Sequence, residues 1–211
     1  MARSNDIARI FVPVLLGLGG LWLPSVSAAE VKASARANPA KNAVSSEVKK
    51  APEAEISDEQ VASAISDLRT RHLLVPIDGI PVERFKGSFF EIRGETRHEA
   101  TDIAAVRNTP VRAVEDGTIE KLFLSKLGGN TIYQTDPSKK YVYYYAHLEG
   151  YEPSLTDGAK IKRGDIIGYV GTSGNAPPNS PHLHFSISIL TPEKKWWKAR
   201  ALDAYEVYKP K

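Results

Sequence analysis

The chain has 211 residues, 42% hydrophobic and 25% charged, which admits one ordinary globular domain plus accessory segments. Its formal net charge is only +3, and with no basic run interleaved with aromatics it excludes a nucleic-acid groove. The absence of cysteine excludes disulfides, a cysteine nucleophile and a lipid-bearing cysteine, and leaves His, Asp and Glu to build any metal site.

The N-terminus reads as an export signal. Arg3 and Arg9 precede an apolar run from Ile10 to Leu23, and Val26-Ser27-Ala28 supplies the small-x-small pattern of a cleavage site, giving a signal peptide over 1–28. The run is shorter than the roughly 20 residues of a membrane-spanning helix and is interrupted by Pro13 and glycines. Export to a periplasmic or cell-wall location is expected, with no stable membrane insertion if the signal is cleaved and an uncleaved anchor as the alternative. Residues 29–56 are rich in Ala, Lys, Ser and Glu and carry too little apolar surface to offset ordering, so they are expected to be a disordered linker.

A short helix is expected within 57–74. Ser57 and Gln60 form a capping-box pattern, and Val61, Ala64, Ile65, Leu68 and His72 follow at helical spacing, predicting a helix over about 58–73. His72 falls at the helix end, where an imidazole faces the negative end of the dipole, and is not expected in a site. From Val75 onward, short apolar runs alternate with Gly, Pro, Asn and Asp, predicting a mainly β domain over 75–211 with antiparallel barrel- or sandwich-like architecture. "TPVRAVEDGTIEKLFLS" gives two strands about Asp116-Gly117, and "NTIYQTDPSKKYVYYYAHL" gives a hairpin through an Asp-Pro turn. Tyr143, Tyr144 and Tyr145 should divide between core and groove.

"NSPHLHFSISI" carries the strongest single signal. Phe185, Ile187 and Ile189 alternate with serines, the period of a half-buried strand, and His182 and His184 share the face opposite them. A pair of surface histidines would give the same pattern. His98 with Asp102 four residues on, and His147 after the tyrosine run, bring four of the five histidines into the β domain. Hydrolysis at zinc needs three protein ligands with one position left for water, together with a nearby base. This set contains enough groups for both tasks, though spacing does not assign them. Three other chemistries lack their residues: "HEATD" does not complete His-Glu-x-x-His, no Gly-x-Ser-x-Gly elbow occurs, and "GTSGNAPP" lacks the lysine of a phosphate loop. Carboxylates for a glycosidase are plentiful, but nothing ties a particular pair together. The glycine-turned "DGTIEKL" and "GAKIKRGDIIGYVG" resemble strands of biotin- or lipoyl-carrier barrels, but the lysine contexts of those carriers are missing.

Three motifs in order, His98-x-x-x-Asp102, Tyr145-Ala-His-Leu148 and His182-Leu-His184, together with "NTPVRAVEDGTI", "GGNTI" and "DGAKIKRGDIIGYVGTSGN", resemble the lysostaphin/LytM-type zinc endopeptidases over about residues 76–190. The resemblance implies an antiparallel β fold with a groove across one sheet. It implies one zinc ion held by His98, Asp102 and His184, with His147 and His182 as the unliganded catalytic pair. It further implies cleavage of bacterial peptidoglycan peptides, and the chain is expected to act as a monomer. An alternative within the family is a domain that has lost its metal and activates another wall hydrolase; here the ligand set is complete. Two positions depart from the family's usual pattern: Ala100 stands where Gly is frequent, and Ser186 where Glu is frequent. If position 100 required positive φ, Ala would strain it by roughly 1 kcal/mol or more.

Overall fold

The computed structural model describes residues 55–210. The expected export signal and nearly all of the expected linker lie outside the described residues. The first element, α1 (Asp58–Arg71), starts at the capping box: Ser57 Oγ accepts from Gln60 N at 3.3 Å, and Gln60 Oε1 accepts from Ser57 N at 2.7 Å. Acidic Asp58 and Glu59 in its first turn and basic Arg69 and Arg71 in its last complement the helix dipole. It ends two residues before the expected Leu73 because His72 adopts the left-handed conformation, φ 51°, of a helix C-cap. Ala64 and Leu68 point into the core.

Two 3-10 turns, Val82–Phe85 and Ser88–Phe90, lead to a hairpin of β1 (Ile92–Arg93) and β2 (Thr96–Arg97). The remaining strands are β3 (Thr101–Ala104), β4 (Pro110–Arg112), β5 (Gly117–Ser125), β6 (Gly129–Thr135), β7 (Tyr141–Tyr151), β8 (Lys160–Ile161), β9 (Ile166–Val170), β10 (His182–Leu190) and β11 (Ala199–Leu202), followed by α2 (Ala204–Tyr208). These nine strands form one antiparallel sheet whose main path is β11-β10-β7-β6-β5-β8, with β3 on β10, and β9 joining β4 to β7. The fold is therefore mainly antiparallel β, as its turn-punctuated sequence indicates. The strands about Asp116-Gly117 do not pair with each other: β4 pairs β9, and β5 pairs β6 and β8.

Alternation builds the core. On β10 the side chains of Leu183, Phe185 and Ile187 are fully buried, while His184, Ser186 and Ser188 on the other face are half-buried. Across from it on β7, Tyr143 and Tyr145 are fully buried and Tyr144 faces outward beside Ser186. Each buried aliphatic or Phe side chain contributes about 1.5–3 kcal/mol of transfer free energy. The β6–β7 turn is tied by Asp136, whose Oδ1 accepts from Lys140 N at 2.7 Å and Tyr141 N at 2.8 Å. Its Oδ2 accepts from Arg71 Nη1 at 3.2 Å, joining α1 to the sheet.

Candidate metal and catalytic site

β3 lies against the first half of β10 with Asp102 directly opposite His184, so antiparallel register alone brings these two side chains together. His98 arrives from the segment between β2 and β3. Its N–H donates to Glu91 O at 2.8 Å, and the next residue, Glu99, takes φ 51° and donates to Phe89 O at 3.1 Å. That single left-handed residue turns the chain so that His98 and Asp102 converge. It also corrects the expectation about position 100: the positive φ falls on Glu99, while buried Ala100 carries none of the anticipated strain. Ser186 sits half-buried on β10 opposite Tyr144, the next outward position after His184.

Three acceptor atoms meet at one point. His98 Nε2 lies 3.0 Å from His184 Nδ1 and 3.1 Å from Asp102 Oδ1, and His184 Nδ1 lies 3.0 Å from the same Oδ1. Bonds of about 2.0–2.2 Å to a tetrahedral zinc would set such atoms about 3.4 Å apart, so the triangle fits one face of a coordination tetrahedron after a small expansion. The donor set, two imidazoles and a carboxylate, is one that zinc accepts. Among the described residues, His98, Asp102 and His184 are the group able to hold a metal ion. His98 Nδ1 donates to Ser88 O at 3.1 Å, which fixes the tautomer and leaves Nε2 with its lone pair toward the other two.

His147 and His182 flank this group, their ring centroids 4.9 Å apart and His147 5.6 Å from His184. Each donates Nδ1–H to a backbone carbonyl, His147 to Ser173 O at 2.9 Å and His182 to Ser180 O at 2.8 Å. In its neutral form each ring then presents an unprotonated Nε2. His147 owes its direction to a β-bulge. Asn130 pairs Leu148 but Ile132 pairs Tyr145, so β7 carries an extra residue there, and His147 takes φ 59°. Its own N–H donates to Gly128 O at 2.7 Å.

The β5–β6 turn and the loop after β9 are locked together behind His147. A Cβ on Gly129, whose φ is +64°, would stand 2.2 Å from Ser173 Oγ, and one on Gly174 would stand 2.2 Å from Leu127 O. Ser173 Oγ meanwhile accepts from Asn130 N at 3.0 Å and donates to Leu148 O at 2.6 Å.

Electrostatics favour the ionised form of the Asp102 carboxylate. Burial raises the Asp102 pKa, but hydrogen bonds from His184, His98 and Arg93 outweigh it and hold the carboxyl well below the usual range. Burial lowers the His147 pKa, helped by His182 and His184 and opposed by the Ser173 hydrogen bond. Arg93, absent from the sequence reading, donates Nη2 to Asp102 Oδ2 at 2.8 Å and to Glu91 Oε2 at 2.6 Å. It thereby occupies the carboxylate oxygen that is not in the triangle. The carbonyls of Ser88, Ser173 and Ser180 were likewise invisible to pattern reading, because backbone acceptors carry no side-chain signature. His72 caps α1 and takes no part in the group.

The antiparallel β domain thus carries a metal-competent His–Asp–His group flanked by two imidazoles, each anchored through Nδ1 to a backbone carbonyl. Residues 96–197 match Peptidase family M23. An L-Ala--D-Glu endopeptidase of Bacillus subtilis is 33% identical over 128 residues, 56% of this chain and 39% of the relative. The chain spans about two fifths of that relative's length, and less of the other curated relatives it matches. Csd3 of Helicobacter pylori has the same fold, with a TM-score of 0.50 at 22% identity, covering 66% of this chain and 33% of that one. The catalytic domain of the antimicrobial peptidase lysostaphin of Staphylococcus simulans is similar at 28% identity, with a TM-score of 0.46, over 55% of this chain and 83% of that one.

Proposed function

We propose that the protein is an exported, monomeric, zinc-dependent endopeptidase that hydrolyses peptide bonds in peptidoglycan cross-links or stem peptides. The observation that carries this reading is the convergence of His98 Nε2, Asp102 Oδ1 and His184 Nδ1 at 3.0–3.1 Å beside two imidazoles whose Nε2 atoms are free. His98, Asp102 and His184 would hold the metal. When bound, zinc supplies Lewis-acid polarisation of the scissile carbonyl and a water nucleophile at neutral pH. His147 and His182 then act on protons: each anchors Nδ1–H to a carbonyl and presents Nε2 to take a proton from the attacking water and pass it to the leaving amine. Arg93 leaves only one oxygen of Asp102 for the metal position. The substrate class is supported by the match to Peptidase family M23 and by similarity to the L-Ala--D-Glu endopeptidase and to a peptidoglycan DD-endopeptidase of Vibrio cholerae.

The test is zinc content by mass spectrometry, with peptide release from purified peptidoglycan, for the wild type, His98→Ala and His184→Ala. One zinc per chain and release in the wild type, both absent in the variants, are expected. A folded wild type that stays metal-free and inactive after zinc addition would overturn the reading in favour of a domain that activates another wall hydrolase.

A further inference from the structure

The cavity on the Tyr144 side of the site, about 260 Å³, is lined by two arginines, Arg93 and Arg97, beside His98 and His184, and its lining includes no carboxylate. The two arginines differ in how far their charge is already answered. Arg93 is bound by Glu91 at 2.6 Å and Asp102 at 2.8 Å. Arg97 is exposed, and among the described residues its recorded contact is the Phe90 ring, 5.9 Å from the guanidinium carbon. The hairpin register, Ile92 opposite Arg97 and Arg93 opposite Thr96, fixes Arg97 immediately before His98 and therefore within one residue of the metal-competent group. Arg97 also lines a neighbouring cavity with Glu99, Asp203 and Glu206, yet among the described residues it forms no ion pair with them. A planar guanidinium without an acid partner is matched by a carboxylate, which it binds through two parallel N–H bonds.

We infer that Arg97 is a specificity-determining residue that receives a free carboxylate of the substrate near the scissile amide. Resting on the endopeptidase reading above, this assigns the substrate class: acidic stem peptides, in which a glutamyl residue linked through its γ-carboxyl leaves its α-carboxylate free, in preference to uncharged bridges such as oligoglycine. Tyr144 forms the apolar wall of the same cavity, so the peptide's methyl side chains and its carboxylate are met by different surfaces.

The experiment uses two cross-linked stem-peptide dimers, identical except that all side carboxyls are free in one and carboxamides in the other. Wild type, Arg97→Ala and Arg97→Lys chains are compared for kcat and KM. Binding of both dimers to a zinc-treated His182→Ala chain, with and without Arg97→Ala, is measured by calorimetry. The wild type should favour the acid dimer by at least about fivefold in kcat/KM, through KM. Arg97→Ala should bring the acid-to-amide ratio to about one, and Arg97→Lys should retain part of the preference. Equal use of both dimers by the wild type, or an equal loss on both in Arg97→Ala, would overturn the assignment while leaving the endopeptidase reading intact. If neither dimer is cut, the endopeptidase reading fails, and calorimetry decides the rest. An Arg97-dependent preference for the acid sustains the carboxylate site, and indifference overturns it.

Discussion

Beneath the buried face of β7, Arg71 meets Asp67 at 3.0 Å, Asp136 at 3.2 Å and Glu115 at 3.4 Å, and Tyr141 and Tyr143 donate their hydroxyls to Asp67 and Glu115. On the open side, His98, Asp102 and His184 bring three acceptor atoms together at 3.0–3.1 Å. Both clusters are polar and partly buried; the first joins α1 and two turns to β7, and the second joins the segment before β3 to β3 and β10. The difference lies in how donors and acceptors are matched. In the first, each carboxylate has a donor aimed at it, so the cluster is complete and ties α1 to the sheet. In the second, two imidazole nitrogens and a carboxylate oxygen crowd one small triangle, an arrangement that a single cation can occupy when the imidazoles are neutral. Matching of donors, more than the count of charged residues, separates a structural network from a ligand set.

The comparison breaks most sharply at the three proposed ligands. His98→Ala, Asp102→Ala or His184→Ala should abolish zinc binding and lower peptide release by at least about 10³-fold, while urea unfolding of the metal-free protein changes little. His147→Ala and His182→Ala should keep the zinc yet lose about 10²–10⁴-fold in kcat, so metal content measured beside rate separates the two roles. The structural cluster should respond in the opposite way. Arg71→Met leaves the nearly inaccessible Asp136 carboxylate without its cation and should cost about 3–5 kcal/mol in urea unfolding, with zinc stoichiometry unchanged in the folded fraction.

Smaller but diagnostic is the pH dependence of that cluster. Burial raises the Asp136 pKa, but hydrogen bonds from Ser138, Tyr141 N, Lys140 N and Arg71 outweigh it and depress the carboxyl. Its stabilisation is therefore fully present above the unfolded value, about 3.9, and is lost as pH falls through the folded value. Glu115 runs the other way. Burial raises it above its ordinary range, so its contribution falls as pH rises between the unfolded and folded values. Urea titrations between about pH 4 and 2 should show a steeper loss of stability in the wild type than in Asp136→Asn, because only the wild type must protonate that carboxylate.

Much of this was legible in the sequence for definite reasons. A strand's period of two places His182 and His184 on one side and Phe185 and Ile187 on the other, and the burial of β10 follows that alternation. The capping box of α1 and the Asp-Pro turn before β7 are local signals with local causes. What escaped depends on partners distant in sequence. The bulge that turns His147 exists only because β6 supplies one residue fewer than β7. The β1–β2 hairpin carries a two-residue Gly94-Glu95 turn that could have been read, but each strand is two residues long and offers no apolar alternation. Asp203, the N-cap of α2, was a usable signal as well, hidden by a helix of five residues.

The lock between Gly129, Ser173 and Gly174 has a consequence for redesign and for descent. With backbone atoms this close, neither loop has room to change independently, and each fixes the other's path past His147. A graft of the β5–β6 turn from a relative, made alone, would import side chains shaped for a different neighbour. The two segments, some forty residues apart in the chain, behave as a single unit of exchange and should be transplanted, or inherited, together.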